Sequence, residues 1–179
     1  RIVLPGEGRT VIVKNGIPGQ KIRFMVQKFK QGVAQGRLLE VLEPSPLETR
    51  EPVCRQFPAC GGCMYQTMSY EAQLEMKAGQ VKRILYQALA PGRSYEFEGI
   101  LGSPEEFGYR NKMEFSFGDA YKDGPLSLGL HKKGSTYDVL TVSDCRLIHR
   151  DMTAVLDCVL QYFRERGTSY YKKLQHQGY

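Results

Sequence analysis

Cys54-Arg55-Gln56-Phe57-Pro58-Ala59-Cys60-Gly61-Gly62-Cys63 sets three thiols within one short run, spaced C-x5-C-x2-C. Gly61 and Gly62, between the last two, let the backbone turn tightly around something held by the sulfurs. A four-ligand centre lacks one thiol here, and Cys145, far downstream, is available to supply it. If Cys145 closes the site, the centre ties this loop to a distant part of the chain.

Three uses of the cysteines stay open: an iron–sulfur cluster, zinc, or disulfides. The first residues, Arg1-Ile2-Val3-Leu4-Pro5-Gly6, have too short an apolar run to be a signal peptide. In a reducing, cytoplasmic setting, metal or cluster binding is favoured over a disulfide framework. A zinc knuckle pairs two C-x2-C units, and only one is present. A cluster is larger than one ion and tolerates wider, uneven gaps, so the spacing favours the cluster. With Cys145 as fourth ligand no iron is left open, which argues for a structural centre and against radical chemistry. The fifth cysteine, Cys158, falls off the apolar stripe of its helix and reads as non-ligating. His131, His149 and His176 are isolated, and no Cys–His–Asp or Ser–His pattern is present. No G-x-G-x-x-G loop follows a strand, so the chain offers no nucleotide or S-adenosylmethionine loop and no catalytic residue.

Forty-one per cent hydrophobic residues can build a core, and 25% charged residues suit a soluble surface. No apolar run is long enough to span a membrane. The net charge is +6, and residues 1–50 carry nine Lys and Arg against four Glu. Such a localised excess points to a polyanion partner, most simply nucleic acid, or to a solvated basic face. Arg1 is not an initiating Met and the chain trails off at Gly178-Tyr179, so it reads as a fragment of a longer protein.

Residues 9–14 alternate as a strand, Val11 and Val13 against Thr10 and Ile12. Asn15-Gly16 and Pro18-Gly19 are turns. Residues 20–29 alternate Ile22, Phe24 and Val26 against Lys21, Arg23 and Met25, and residues 33–43 form a further strand. Gly16, Gly19, Gly32 and Gly36 read as turns of a small β-barrel whose basic face suits RNA. Pro44, Pro46 and Pro52 mark an extended linker. Ser69 caps a helix with Leu74, Ala78, Val81, Ile84, Leu85 and Ala88 on one stripe, ending before Pro91-Gly92. Strands are expected at 95–101, 109–117, 126–131 and 137–142. In the second of these, Tyr109, Met113, Phe115 and Phe117 oppose Arg110, Lys112, Glu114 and Ser116. Turns fall at Asp123-Gly124-Pro125 and Lys132-Lys133-Gly134-Ser135. A second helix over 150–166 carries Met152, Val155, Leu156, Val159, Leu160 and Phe163 on one stripe.

The run Cys54-x5-Cys60-Gly-Gly-Cys63-x2-Gln66, then Tyr70-x2-Gln73-Leu74-x2-Lys77-x3-Val81, then Gly108-Tyr109-Arg110-Asn111-Lys112, then Asp144-Cys145, resembles the RNA uracil-C5 methyltransferase family. The resemblance covers essentially the whole chain, and its motifs are specific in combination. It implies an α+β architecture: a TRAM (OB-like) RNA-binding barrel over 1–50, a cluster-binding Cys loop over 51–68, and a central domain over 69–179 with an antiparallel sheet and two helices. It further implies a Rossmann-like methyltransferase domain, carrying nucleophile, base and S-adenosylmethionine site, none of whose motifs occurs here. The cluster ligands of the family fall on Cys54, Cys60, Cys63 and Cys145, holding a [4Fe–4S] cluster. RNA contacts are expected from Lys14, Lys21, Arg23, Lys28, Lys30, Arg37, Arg110 and Lys112, though Arg110 and Lys112 equally suit interdomain ion pairs. The expected function is the RNA-recognition part of an S-adenosylmethionine-dependent RNA (uracil-5-)-methyltransferase, on ribosomal RNA in preference to transfer RNA, inactive alone and with no protein partner implied. The alternative is a stand-alone RNA-binding module stapled by zinc or a cluster.

Overall fold

In a computed structural model of the chain, described over residues 2–3, 10–30, 33–90, 92–172 and 175–178, two compact units are present. One comprises residues 1–50 and 67–75, the other residues 51–66 and 76–179. Expectations that involved Arg1, Pro5, Gly6, Arg9, Gly32 and Pro91 lie outside the described residues.

The first unit is built on a sheet in the order β1-β2-β4-β3: β1 (Ile2–Val3), β2 (Thr10–Val13), β3 (Lys21–Lys30) and β4 (Val33–Glu43). β3 and β4 pair antiparallel, with register shifts after Lys21, Arg23 and Val26, and β2 pairs parallel with β4. Each shift inserts a local bend and adds twist. The alternation in β2 survives as read: Val11 is fully buried and Ile12 is exposed. Gly36, expected in a turn, instead lies buried inside β4 opposite Val13, where a Cβ would sit 2.9 Å from the Phe24 ring. Pro18 and Gly19 occupy a turn closed by the Gln20 amide on the Ile17 carbonyl (3.2 Å), and Gly19 takes the left-handed φ of 90° that this turn requires.

The expected extended linker at Pro44 and Pro46 is instead a packed turn. The Ser45 hydroxyl donates to the Pro18 carbonyl (2.6 Å), and the Glu48 carboxylate accepts from the Ser45 amide, Gln20 and Thr67. Burial pushes the Glu48 carboxyl up, but these donors together hold it below the usual range. Proline restricts the chain but does not stop neighbouring polar side chains from fastening it. Met68, fully buried, completes this unit's core. Burial of a side chain of that size contributes about 1.5–3 kcal/mol.

Helix α1 (Tyr70–Ala88) starts where expected, with the Ser69 hydroxyl accepting from the Ala72 amide at 3.2 Å. Its stripe is not a core face, however. No residue of α1 is buried, and Val81 and Ile84 are exposed. Helical spacing reports amphipathicity and not what covers the apolar side: Leu74, Ala78 and Leu85 are half-buried.

In the second unit, β5 (Ser116–Gly118), β6 (Ser127–His131) and β7 (Val139–Thr141) form an antiparallel sheet in chain order. Helix α2 (Arg150–Glu165) packs on it, with Leu156 and Leu160 joining Leu128, Val142 and Cys60 in one cluster. Val155, expected on this stripe, is 64% exposed at the edge of the contact. Gly129 is obligatory in β6, since a Cβ there would run into the Leu140 carbonyl.

One expected strand is absent and another is mostly lost. Residues 95–101 form no ladder. Instead the Tyr95 hydroxyl reaches the Lys82 carbonyl (3.3 Å), the Lys82 ammonium lies 4.6 Å from the Phe97 ring centre, and Leu101 is fully exposed. Of residues 109–117 only the end is strand, within β5, and Arg110 makes one isolated bridge to Ile148. Phe115 packs on the core while Tyr109 and Phe117 are exposed. An alternating pattern becomes a strand only where a partner supplies the ladder.

Candidate metal centre and basic residues

The cysteine loop folds onto the sheet of its own unit through its backbone. The Gly61 amide donates to the His131 carbonyl (3.0 Å), the Lys133 amide to the Ala59 carbonyl (2.7 Å), and the Cys60 amide to the Gln56 carbonyl (2.8 Å). The Gln56 side chain donates to the Thr141 carbonyl at 3.0 Å. Gln66 accepts from the Cys54 amide at 3.2 Å. These bonds bring the loop against the end of β6 and the segment after β7, where Cys145 sits.

Cys54, Cys60, Cys63 and Cys145 line one small cavity, about 20 Å³, with Phe57, Leu130, Val142 and Leu147 as its apolar wall. Cys158 is exposed on α2 and is not part of it. The Gly62 amide donates to the Cys60 sulfur at 3.3 Å. Burial pushes the Cys60 thiol up, the Gly62 amide pulls it down, and the neighbouring cysteines push it up again. Cys145 is likewise raised by burial, with the Leu147 and Ile148 amides opposing. Amides aimed at sulfur favour the thiolate, whereas clustered thiols resist deprotonation until a cation joins them. Among the described residues, no group of three or more His, Cys, Asp or Glu is arranged to hold a metal ion.

Lys133 stands beside this cavity, and the sequence reading missed it as anything but a turn residue. Burial depresses its ammonium, and Cys60 and Cys63 act in the opposite direction. Its ammonium also lies 5.5 Å from the Phe57 ring centre. Arg146 lines the cavity beside Cys145. Gln66 was legible as part of the cysteine pattern, but Lys133 and Gln56 carry no sequence signal of their own.

The basic residues of the first unit are not equivalent. Lys21 and Arg23 are paired across the strands with Glu43 (2.6 Å) and Glu40 (2.8 Å). Lys14, Lys28 and Arg37 are exposed. Lys30 lies at the end of β3, and its side chain lies outside the described residues. In the second unit Lys112 pairs with Glu114 (2.9 Å), and Arg110 donates to the Met113 sulfur (3.4 Å) while its amide holds the Leu147 carbonyl (2.9 Å). Both therefore stand on an extended loop, not on the strand face expected for them.

No family model matches the chain. It is 40% identical over 97% of its length to an uncharacterized RNA methyltransferase of Clostridium tetani, and 42% identical over the same share to one of Caldanaerobacter subterraneus subsp. tengcongensis. It spans only 37% and 38% of the length of those relatives. Its fold is similar to part of the Pyrococcus abyssi tRNA (uracil-54, C5)-methyltransferase, solved in complex with S-adenosyl-L-homocysteine. That match has a TM-score of 0.65, covers 99% of this chain and 37% of that one, and has 21% identity. With close relatives of this kind along nearly all of its length, the chain belongs to the RNA methyltransferase family.

Proposed function

We propose that this chain is the RNA-recognition portion of an S-adenosylmethionine-dependent RNA (uracil-C5) methyltransferase, and that its second unit holds a [4Fe–4S] cluster on Cys54, Cys60, Cys63 and Cys145. The observation that carries the reading is the convergence of these four cysteines on one apolar cavity in a chain related to RNA methyltransferases. A single zinc draws its thiolates to about 2.3 Å from one point. A cluster is held at its corners by four thiolates, and the uneven C-x5-C-x2-C spacing with a distant fourth cysteine supports that reading. The donor set suits that group: four thiols, amides aimed at two of them, and a Lys133 cation beside two of them to offset an anionic centre.

On this reading the cluster is structural and pins the 54–63 loop to the segment bearing Cys145. The first unit acts as a TRAM-type platform in which Lys14, Lys28 and Arg37 meet RNA phosphates directly. Lys21 and Arg23 do so by exchanging their glutamate partners. Methylation of a base requires the nucleotide to leave its stack, and a grip on the surrounding strand holds it out. S-adenosylmethionine supplies the methyl group, and its site belongs to the part of the relatives' length that this chain does not span. Ribosomal RNA is the expected substrate.

Anaerobic purification followed by iron, sulfide and zinc analysis tests the cluster. About four irons and four sulfides per chain are expected, with a broad visible absorption that bleaches on oxidation. One zinc without sulfide supports a zinc-stapled module instead. Retention of single-stranded RNA in a binding assay, lost at high salt, tests the recognition role.

A further inference from the structure

A second cavity, about 510 Å³, opens in the same unit between the sheet and the segment after α2. Its size falls in the range of small-ligand sites. Neither the cysteines nor any residue assigned above to RNA lines it. The walls combine aromatic faces with carboxylates and ammonium groups. Tyr137 and Tyr171 are 59% and 48% exposed, so each presents a ring to an incoming ligand.

The site is built rather than incidental. Asp119 is 7% exposed and holds the Tyr170 hydroxyl. Burial and that bond push the Tyr170 phenol up to about 12. Lys172 reaches Asp123 at 3.0 Å, so the segment is fastened to the sheet's flank at a second point. The Lys172 amide donates to the Gln177 carbonyl (2.7 Å), closing the segment on itself. On the other wall, the Ser135 hydroxyl accepts the amides of Tyr137 and Asp138 at 3.2 and 3.0 Å and fixes that turn.

The chemistry of the lining selects the ligand. Asp119 is engaged by Tyr170 and Asp123 by Lys172, and Asp138 is the lining carboxylate that neither bond involves. A carboxylate is acceptor-only and bidentate. Among the RNA bases, guanine alone offers two adjacent donors on its Watson–Crick edge, the ring N1–H and the exocyclic amine. Adenine and cytosine set an acceptor beside their amine, and uracil flanks its one N–H with two carbonyls. Exposed tyrosines provide the stacking surface that an unpaired base needs, and Lys122, also on the lining, provides a cation for its phosphate.

We propose that this cavity receives one unstacked guanine nucleotide of the RNA strand, its base on Tyr171, its Watson–Crick edge on Asp138 and its phosphate at Lys122. The proposal rests on the RNA-recognition reading above and adds a base-specific reader to a platform that otherwise contacts the backbone.

The test uses the 179-residue chain and two single-stranded oligoribonucleotides, a uridine 12-mer carrying one central guanosine and the same 12-mer carrying adenosine, with binding followed by fluorescence anisotropy. The guanosine oligomer should bind about tenfold tighter, as expected of one good bidentate contact. Asp138→Asn should erase that preference. Tyr171→Ala should weaken the guanosine oligomer about tenfold, and Tyr171→Phe, which keeps the ring, should bind like the parent. Equal affinity of the parent for the two oligomers overturns the guanine assignment. A guanosine preference that survives both Asp138→Asn and Tyr171→Ala places the reader elsewhere and overturns the site. If the oligomers bind and only Lys28→Ala and Arg37→Ala weaken them, the cavity proposal fails while the RNA-recognition reading stands. Failure of the parent to bind either oligomer at low salt sinks both.

Discussion

The Gln56 side-chain amide donates to the Thr141 carbonyl at 3.0 Å across 85 residues of chain. This bond joins the loop of Cys54, Cys60 and Cys63 to the strand that precedes Cys145. Gln56→Ala removes the donor and leaves a part-buried carbonyl without it, so the second unit should lose about 1 kcal/mol. Urea denaturation followed by circular dichroism reads this directly. Iron content should fall less than stability, because the four thiols remain; an unchanged midpoint would show that the tether contributes nothing.

Cys145 and Cys158 form an internal comparison. Cys145→Ser should lower bound iron sharply and reduce the melting temperature of anaerobically purified protein. Cys158→Ser, at an exposed position away from the cavity, should leave both at parental values. Equal iron in the two variants would remove Cys145 from the ligand set.

Gly129→Ala tests the packing of the sheet. The new methyl group would meet the Leu140 carbonyl, a backbone atom that cannot swing aside. The cost should exceed about 3 kcal/mol, in the range reserved for overpacking and backbone strain. Thermal melting should show a large loss or no cooperative transition. Gly79→Ala, on α1 with open space around it, should be neutral or slightly stabilising.

Tyr170 gives a pH prediction. Its phenol is raised from 10.0 to about 12 by burial, by its bond to Asp119 and by the charges of Asp119 and Asp123. A raised folded-state value means that the neutral phenol is favoured in the native state. Its contribution to stability is therefore complete below pH 10 and is lost as pH rises through about 12. Ultraviolet difference absorption should detect one late-titrating tyrosine, and Asp119→Asn should move its titration down towards 10.

The salt dependence of RNA binding should separate two classes of basic residue. Lys28→Ala and Arg37→Ala should each weaken single-stranded RNA and lower the slope of log K against log salt by about 0.7. Lys21→Ala and Arg23→Ala should do less, since each cation already faces a glutamate across the strands and exposed ion pairs are worth little to the fold. Equal effects at all four sites would show that the cross-strand pairs do not compete with phosphate.

What could be read without coordinates was local. The turns at Pro18-Gly19 and Lys132–Ser135, the Ser69 cap and most of the strand segments are written in residues a few positions apart, and the structure places them as read. The cysteine spacing is local in the same way, and the structure brings Cys54, Cys60, Cys63 and Cys145 to one cavity. The reading failed where a local pattern needs a distant partner. Residues 109–115 alternate as a strand should, yet make one bridge to Ile148 and no ladder. The α1 stripe has helical spacing, yet none of its residues is fully buried.

By itself, the sequence determined the family, the cysteine spacing and the basic bias of residues 1–50, because each is a property of residue identity and spacing. Only the tertiary structure placed Lys133 beside Cys60 and Cys63, joined Gln56 to Thr141, and enclosed a cavity between Tyr137, Asp138 and Tyr171. These contacts join residues of ordinary type across large separations. Their existence depends on which surfaces the sheet and helix bring together, and no periodicity in the chain encodes that.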